Sequence, residues 1–146
     1  MKAIDNWIKR IDFVLDNMEP KAETILKNNE PEIIKTLQGQ LFKGVGGTGE
    51  KIQPSYTPFT IKKKKTEGQP FNRVTMKDKG NFYKSLFLDK SKILLRIGST
   101  DFKAPLLKNR YGGDSYQLSP INKKIVAEET LKKLSVWAQS VITRGA

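Results

Sequence analysis

The chain has 146 residues, a length that suits one compact domain able to bury a modest core. Cysteine and histidine are both absent, which excludes disulfides, thiolate metal sites, the commonest general base and the commonest pH switch. Lys and Arg total 27 against 15 Asp and Glu, a net charge of +12 that fits contact with DNA or an acidic protein surface, or a merely solvated excess of lysine.

Ile4, Trp7, Ile8, Ile11, Val14, Leu15 and Met18 recur at helical spacing and predict an N-terminal helix with one apolar stripe. Glu19-Pro20 is expected to break it, because the residue before proline avoids the helical region. A second helical stretch carries Ala22, Ile25 and Leu26. A third opens at Asn29, with Glu32 at capping-box spacing, Pro31 in the first turn, and Ile33, Ile34, Leu37 and Leu41 on its buried side. Trp7 and Trp137 are expected in helix packing.

Residues 44 to 49 hold four glycines and read as a flexible loop. They are not a phosphate loop: Glu50 follows Gly49, and no hydroxyl follows Lys51. Ile52 to Lys65 reads as extended, with Tyr56, Phe59 and Ile61 before the run Lys62, Lys63, Lys64, Lys65. Residues 66 to 72 are a loop. A turn at Asp78 and Gly80 should set the register of a strand from Asn81 to Leu88. That strand is paired with Ile93 to Ile97 through a polar turn at Asp89-Lys90-Ser91-Lys92. A short helix interrupted by Pro105 covers Phe102 to Tyr111. Ser119-Pro120 is a helix start, and Ile121, Ile125, Leu131, Leu134, Ala138 and Val141 mark the face of the last helix.

The fold class expected is α+β: N-terminal helices, a small central antiparallel sheet with long loops, and a C-terminal helix packed on the sheet. One domain over 1–146 would comprise helices (1–43), a glycine-rich loop with the sheet (44–100), and a loop with the last helix (101–146). Asp78, Asp101 and Asp114 lie on separate turns without calcium-loop spacing and read as turn caps, not a metal cluster. No cofactor is expected. The surface for DNA or a partner is Lys62, Lys63, Lys64, Lys65, Arg73, Lys77 and Lys79, since phosphates require only positive charge. No apolar run reaches bilayer length, and Asp5, Lys9, Arg10 and Asp12 interrupt any signal-peptide core, so no membrane partner is expected and synthesis and retention in the cytoplasm are.

The stretch Val74-Thr75-Met76-Lys77-Asp78-Lys79-Gly80-Asn81-Phe82-Tyr83-Lys84-Ser85 resembles the "T-x-x-D-x-G-x-(F/L)-x-x-S" segment of tail-completion and virion-morphogenesis proteins of tailed phages. Ile97-Gly98-Ser99 is similar to the "I-G-S" that ends their following strand, and Tyr111-Gly112 with Tyr116-Gln117-Leu118-Ser119 to the loop before their last helix. Upstream, Gln40-Leu41, the glycine loop, Tyr56-Thr57-Pro58-Phe59-Thr60, the lysine run and Gly68-Gln69-Pro70 follow the order seen in versions from phages and prophages of Bacteroidota. The chain departs from the common "G-R-L-R-x-S" at Gly80 to Ser85. The resemblance implies a non-catalytic virion protein in head–tail joining, at the tail-completion or neck-ring level. It would assemble as a ring with copies of itself and with connector, portal-side or tail-side rings, and pass through the host cytoplasm during assembly. Non-specific contact with packaged DNA would accompany it. The rival reading is a free basic DNA-binding protein, with salt-dependent duplex binding by the monomer.

Overall fold

Helix α1 spans Lys2–Asn28 and runs through Pro20 without ending. Proline lacks the N–H that would bond the carbonyl of Asp16, but both residues are exposed, so water can serve that carbonyl. The expected break at Glu19-Pro20 is therefore absent, and the first two helical stretches are one. Asn29 separates α1 from α2, Glu30–Phe42. The computed structural model describes residues 1–89 and 95–144.

The Ile52–Lys65 stretch, expected to be extended, contains helix α3, Pro58–Thr66. Thr57 caps it by accepting the Thr60 N–H at 3.3 Å, and Pro58 occupies the first turn, where it has no backbone bond to lose. Asn81 likewise opens helix α4, Asn81–Lys84, instead of a strand. Strand β1, Leu86–Asp89, follows and pairs antiparallel with β2, Arg96–Ser99, in the register Leu86 to Ser99 and Leu88 to Ile97. Leu86 and Leu88 are buried and Phe87 is exposed, the two-residue alternation of a strand with one covered face. The turn and strand start expected at Lys90 to Leu94 lie outside the described residues. Pro105 does not interrupt helix α5, Ala104–Tyr111, but sits in its first turn. Helix α6, Pro120–Arg144, begins as the Ser119-Pro120 signal indicates, with the Asn122 N–H directed at Ser119 Oγ at 3.4 Å. The protein is thus α+β, rich in helix, with a two-stranded antiparallel sheet and a long C-terminal helix.

The chain divides into two compact units. The first comprises residues 1–29 and 125 onward, that is, α1 and most of α6. Within it the Arg10 guanidinium donates to the Ile142 carbonyl at 3.1 Å, Lys133 Nζ to Asn29 Oδ1 at 3.3 Å, and the Lys21 ammonium lies 5.8 Å from the centroid of the Trp137 ring. These contacts join α6 to α1 and to Asn29 at its end. Val14, Ile25, Val126 and Val141 are buried, yet Ile4, Ile8, Leu15 and Met18 on α1 and Ile121, Ile125 and Leu131 on α6 stay exposed. Trp7, expected to be packed, is 51% exposed.

The second unit comprises residues 30–124. A two-stranded sheet is marginal alone, and here β1 lies against α2. Phe82 meets Tyr116 edge to face at 5.3 Å in the same core. The glycine loop is bonded, not free: Val45 bridges Lys51, Gly46 N–H donates to Glu50 O at 2.9 Å, and Gly47 N–H to Asp114 O at 3.0 Å. A Cβ on Gly47 would run into that Asp114 carbonyl.

Gly80 has φ 89 and caps α4, with open space where a Cβ would stand, so the constraint is on the backbone alone. Gly80→Val is expected to lower stability by about 1 kcal/mol or more, because a β-branched residue is forced to positive φ. Asp78→Ala should cost less. Urea unfolding of the two variants checks this, and a Gly80→Val midpoint equal to that of the parent contradicts it.

Candidate anion-binding cavity

The candidate site lies in the second unit, in a cavity of about 320 Å³ lined by α3, α5 and the residues leading into α4. Its floor is a pinned segment. Thr75 N–H donates to the Tyr56 hydroxyl at 3.0 Å, and the Tyr83 hydroxyl donates to the Thr75 carbonyl at 2.6 Å. Gln38 holds the Tyr83 carbonyl at 3.0 Å. Burial, with a smaller contribution from nearby Tyr56, pushes the Tyr83 phenol above its ordinary range, only partly offset by Arg73, so it stays a neutral donor. Met76, the next residue, is buried with φ 55, an uncommon conformation for a residue with a side chain.

This segment presents the Lys77 carbonyl to Lys64. The Lys64 ammonium donates to it at 2.8 Å and to Gln69 Oε1 at 3.0 Å, and lies 4.9 Å from the centroid of the Tyr56 ring. Lys64 is only 7% exposed. Its partners are neutral dipoles and a ring face, so the ion is solvated by the protein, and no carboxylate among the described residues pairs with it at ion-pair distance.

The expected basic residues separate into two groups. Lys63, Lys64, Lys77 and Lys79 line the cavity together. Lys62 and Lys65 are exposed on α3, Lys65 over the Phe71 ring at 4.7 Å. Arg73 is engaged elsewhere: its Nε donates to the Phe42 carbonyl at 2.7 Å. Asp78 and Asp101 also line the cavity, with Glu67. Asp101 caps α5 by accepting the Lys103 N–H at 2.8 Å, and Asp114 pairs with Arg96 at 3.4 Å in an exposed ion pair of small weight. Gln69 Nε2 donates to the Asp78 backbone carbonyl at 3.0 Å. Among the described residues no group of three carboxylates is placed to hold a metal ion.

Lys103, at the N-cap of α5, and Leu107 and Tyr111 within it complete the wall and were not foreseen from the sequence. Nothing local marks them, since they reach the site from some forty residues downstream through the fold. Phe59 is 79% exposed on the first turn of α3. Phe102, just before α5, is 81% exposed.

The chain matches no protein-family model, no curated protein and no solved structure. Among the described residues no helix is long and apolar enough to cross a membrane.

The lysine run is therefore heterogeneous. Replacing Lys62, Lys63 and Lys65 with serine should cost no more than about 0.5 kcal/mol each, as for exposed positions generally. Adding Lys64→Ser should cost roughly 1–3 kcal/mol more, because a packed stem and two hydrogen bonds go with it. Thermal melting of the triple and quadruple variants reads the difference, and equal melting temperatures contradict it.

Proposed function

We propose that this chain is a structural, non-catalytic assembly protein of a tailed bacteriophage that joins head to tail as a tail-completion or neck-ring subunit. The observation that carries the reading is how charge divides between the two units. The first unit holds 8 Lys and Arg against 7 Asp and Glu, while the second holds 19 against 8. Almost all the net charge of +12 thus belongs to residues 30–124. A subunit lining a DNA channel needs one basic surface toward the phosphates. It also needs a surface without net charge toward protein neighbours, where like charges between identical copies would oppose association.

The exposed apolar positions support the second requirement. The exposed Ile4, Ile8, Leu15 and Met18, with the half-buried Ile11 between them, lie on one side of α1 at the alternating four- and three-residue spacing used when helices pack along their length. The partners on this reading are copies of the chain and the connector, portal-side or tail-side rings. The sequence resemblance over residues 74–85, 97–99 and 111–119 supports the same assignment. The protein would reside in the virion and pass through the host cytoplasm during assembly.

Depleting the chain during phage production tests the proposal. DNA-filled heads and separate, unjoined tails are expected in electron micrographs of the lysate, and a tagged copy is expected to sediment with complete particles. Normal infectious yield without the chain, with the tagged copy confined to the soluble fraction, contradicts it.

A further inference from the structure

We propose that the α3–α5 cavity binds a nucleotide, either free or as one unit of a single-stranded nucleic acid, with the base against aromatic side chains and the phosphate among lysines. The first ground is Lys64. Lys64 is nine-tenths buried, and its partners are Gln69 Oε1, the Lys77 carbonyl and the Tyr56 ring, so its positive charge at the cavity wall is not paired with a carboxylate at ion-pair distance among the described residues. An anion entering the cavity would pair with it in a partly desolvated place, where such an interaction is stronger than in bulk water.

The second ground is the charge of the wall as a whole. Lys63, Lys64, Lys77, Lys79 and Lys103 line it, against Glu67, Asp78 and Asp101. One of those carboxylates, Asp101, is already engaged by the Lys103 N–H. Lysine recognises phosphate as a point charge and sets no demand on base identity.

The third ground is the aromatic content. Tyr56, Phe82 and Tyr111 line the cavity, and Phe59 contributes a ring that is 79% exposed. An exposed phenylalanine contributes nothing to the core, but beside a basic cavity it is a stacking surface for a base. A volume of about 320 Å³ accommodates one planar group with its phosphate, at the lower end of ordinary ligand pockets. An acidic peptide is the competing ligand class. It would need a longer groove or a strand edge to hold its backbone, and α3 and α5, which wall the cavity, use most of their backbone groups internally.

The test uses the full chain and fluorescence anisotropy of an end-labelled ten-nucleotide oligothymidylate at low and moderate salt. Saturable, salt-sensitive binding is expected, and thymidine monophosphate should displace the probe. Displacement by the monophosphate at a concentration near that of unlabelled oligomer identifies a free nucleotide as the ligand. Displacement only at far higher concentration identifies the strand. Phe59→Ala and Lys103→Ser replace exposed side chains and should keep the parent melting temperature. Phe59→Ala should weaken binding roughly five-fold or more, the lower bound for losing one stacked base. Lys9→Ser, an equal loss of charge on α1 in the other unit, should change it less than two-fold. Absence of saturable binding would overturn the proposal. So would equal weakening by Lys9→Ser and Lys103→Ser, an unaffected Phe59→Ala, or displacement by a Glu- and Phe-containing peptide more readily than by nucleotide. This site stands on the cavity and not on the assembly role, since either the binding assay or the depletion experiment can fail without the other.

Discussion

The side chain of Gln40 is the fixture on which the second unit depends. It sits near the end of α2, is almost fully buried, and spends its whole amide on backbone and side-chain partners. Nε2 donates to the carbonyls of Val45 and Gly46 at 3.2 Å and of Gln117 at 2.9 Å, while Oε1 accepts from Ser119 N–H at 2.9 Å and Asn122 Nδ2 at 2.8 Å. One residue thereby ties the glycine loop, the segment after α5 and the first turn of α6 to the end of α2. Gln117 extends the same device: its amide both donates to the Ile97 carbonyl at 2.9 Å and accepts the Ile97 N–H at 2.8 Å. The outer edge of β2 is satisfied by a side chain at Ile97, in the manner of a third strand. A net hydrogen bond contributes about 1 kcal/mol, but removing one partner of a buried network strands all the others, so the network counts for more than its members singly.

This arrangement explains why a glycine-rich loop is held in place in a chain with so polar a composition. Gly46 and Gly47 bring backbone close enough for Gln40 and Asp114 to reach it, and a side chain at Gly47 would block that approach. Residues 112–119, which follow α5, are thereby held, and Tyr111 at the end of that helix belongs to the cavity wall. The glycine loop, read from sequence as flexible, is instead held by backbone hydrogen bonds and by Gln40. The N–H groups of Gly46, Gly47 and Gly49 go to Glu50, Asp114 and Gly46 carbonyls, which leaves those three unavailable to cradle a phosphate.

What was legible in the sequence was what helix periodicity and caps encode. The α+β class, α2, the Ser119-Pro120 start of α6 and the Leu86, Leu88 alternation all follow from local pattern. Two features were misread for identifiable reasons. Thr57-Pro58 is a cap and first turn, but the lysine run behind it carries no apolar period to announce a helix. Proline at position 20 ordinarily ends a helix, yet on an exposed face its cost is one solvent-served carbonyl. Apolar residues at helical spacing mark a stripe on α1 and a face on α6, yet Ile4, Leu15, Ile121 and Leu131 remain exposed. Periodicity identifies a face, not what covers it. Gln40 and Gln117 carried no signal at all, because a polar residue enters the core only when distant backbone groups converge on it.

Amide hydrogen exchange followed residue by residue in the parent and in Gln40→Leu tests the central role of Gln40 most directly. In the parent, the Ile97 and Ser119 amides should be among the slowest in residues 30–124. In Gln40→Leu their protection should fall by roughly ten-fold or more, as expected when a buried network worth more than about 1.4 kcal/mol is lost. The Val14 and Ile25 amides of the first unit should keep theirs. Unchanged protection at Ile97 and Ser119 in Gln40→Leu would contradict the account.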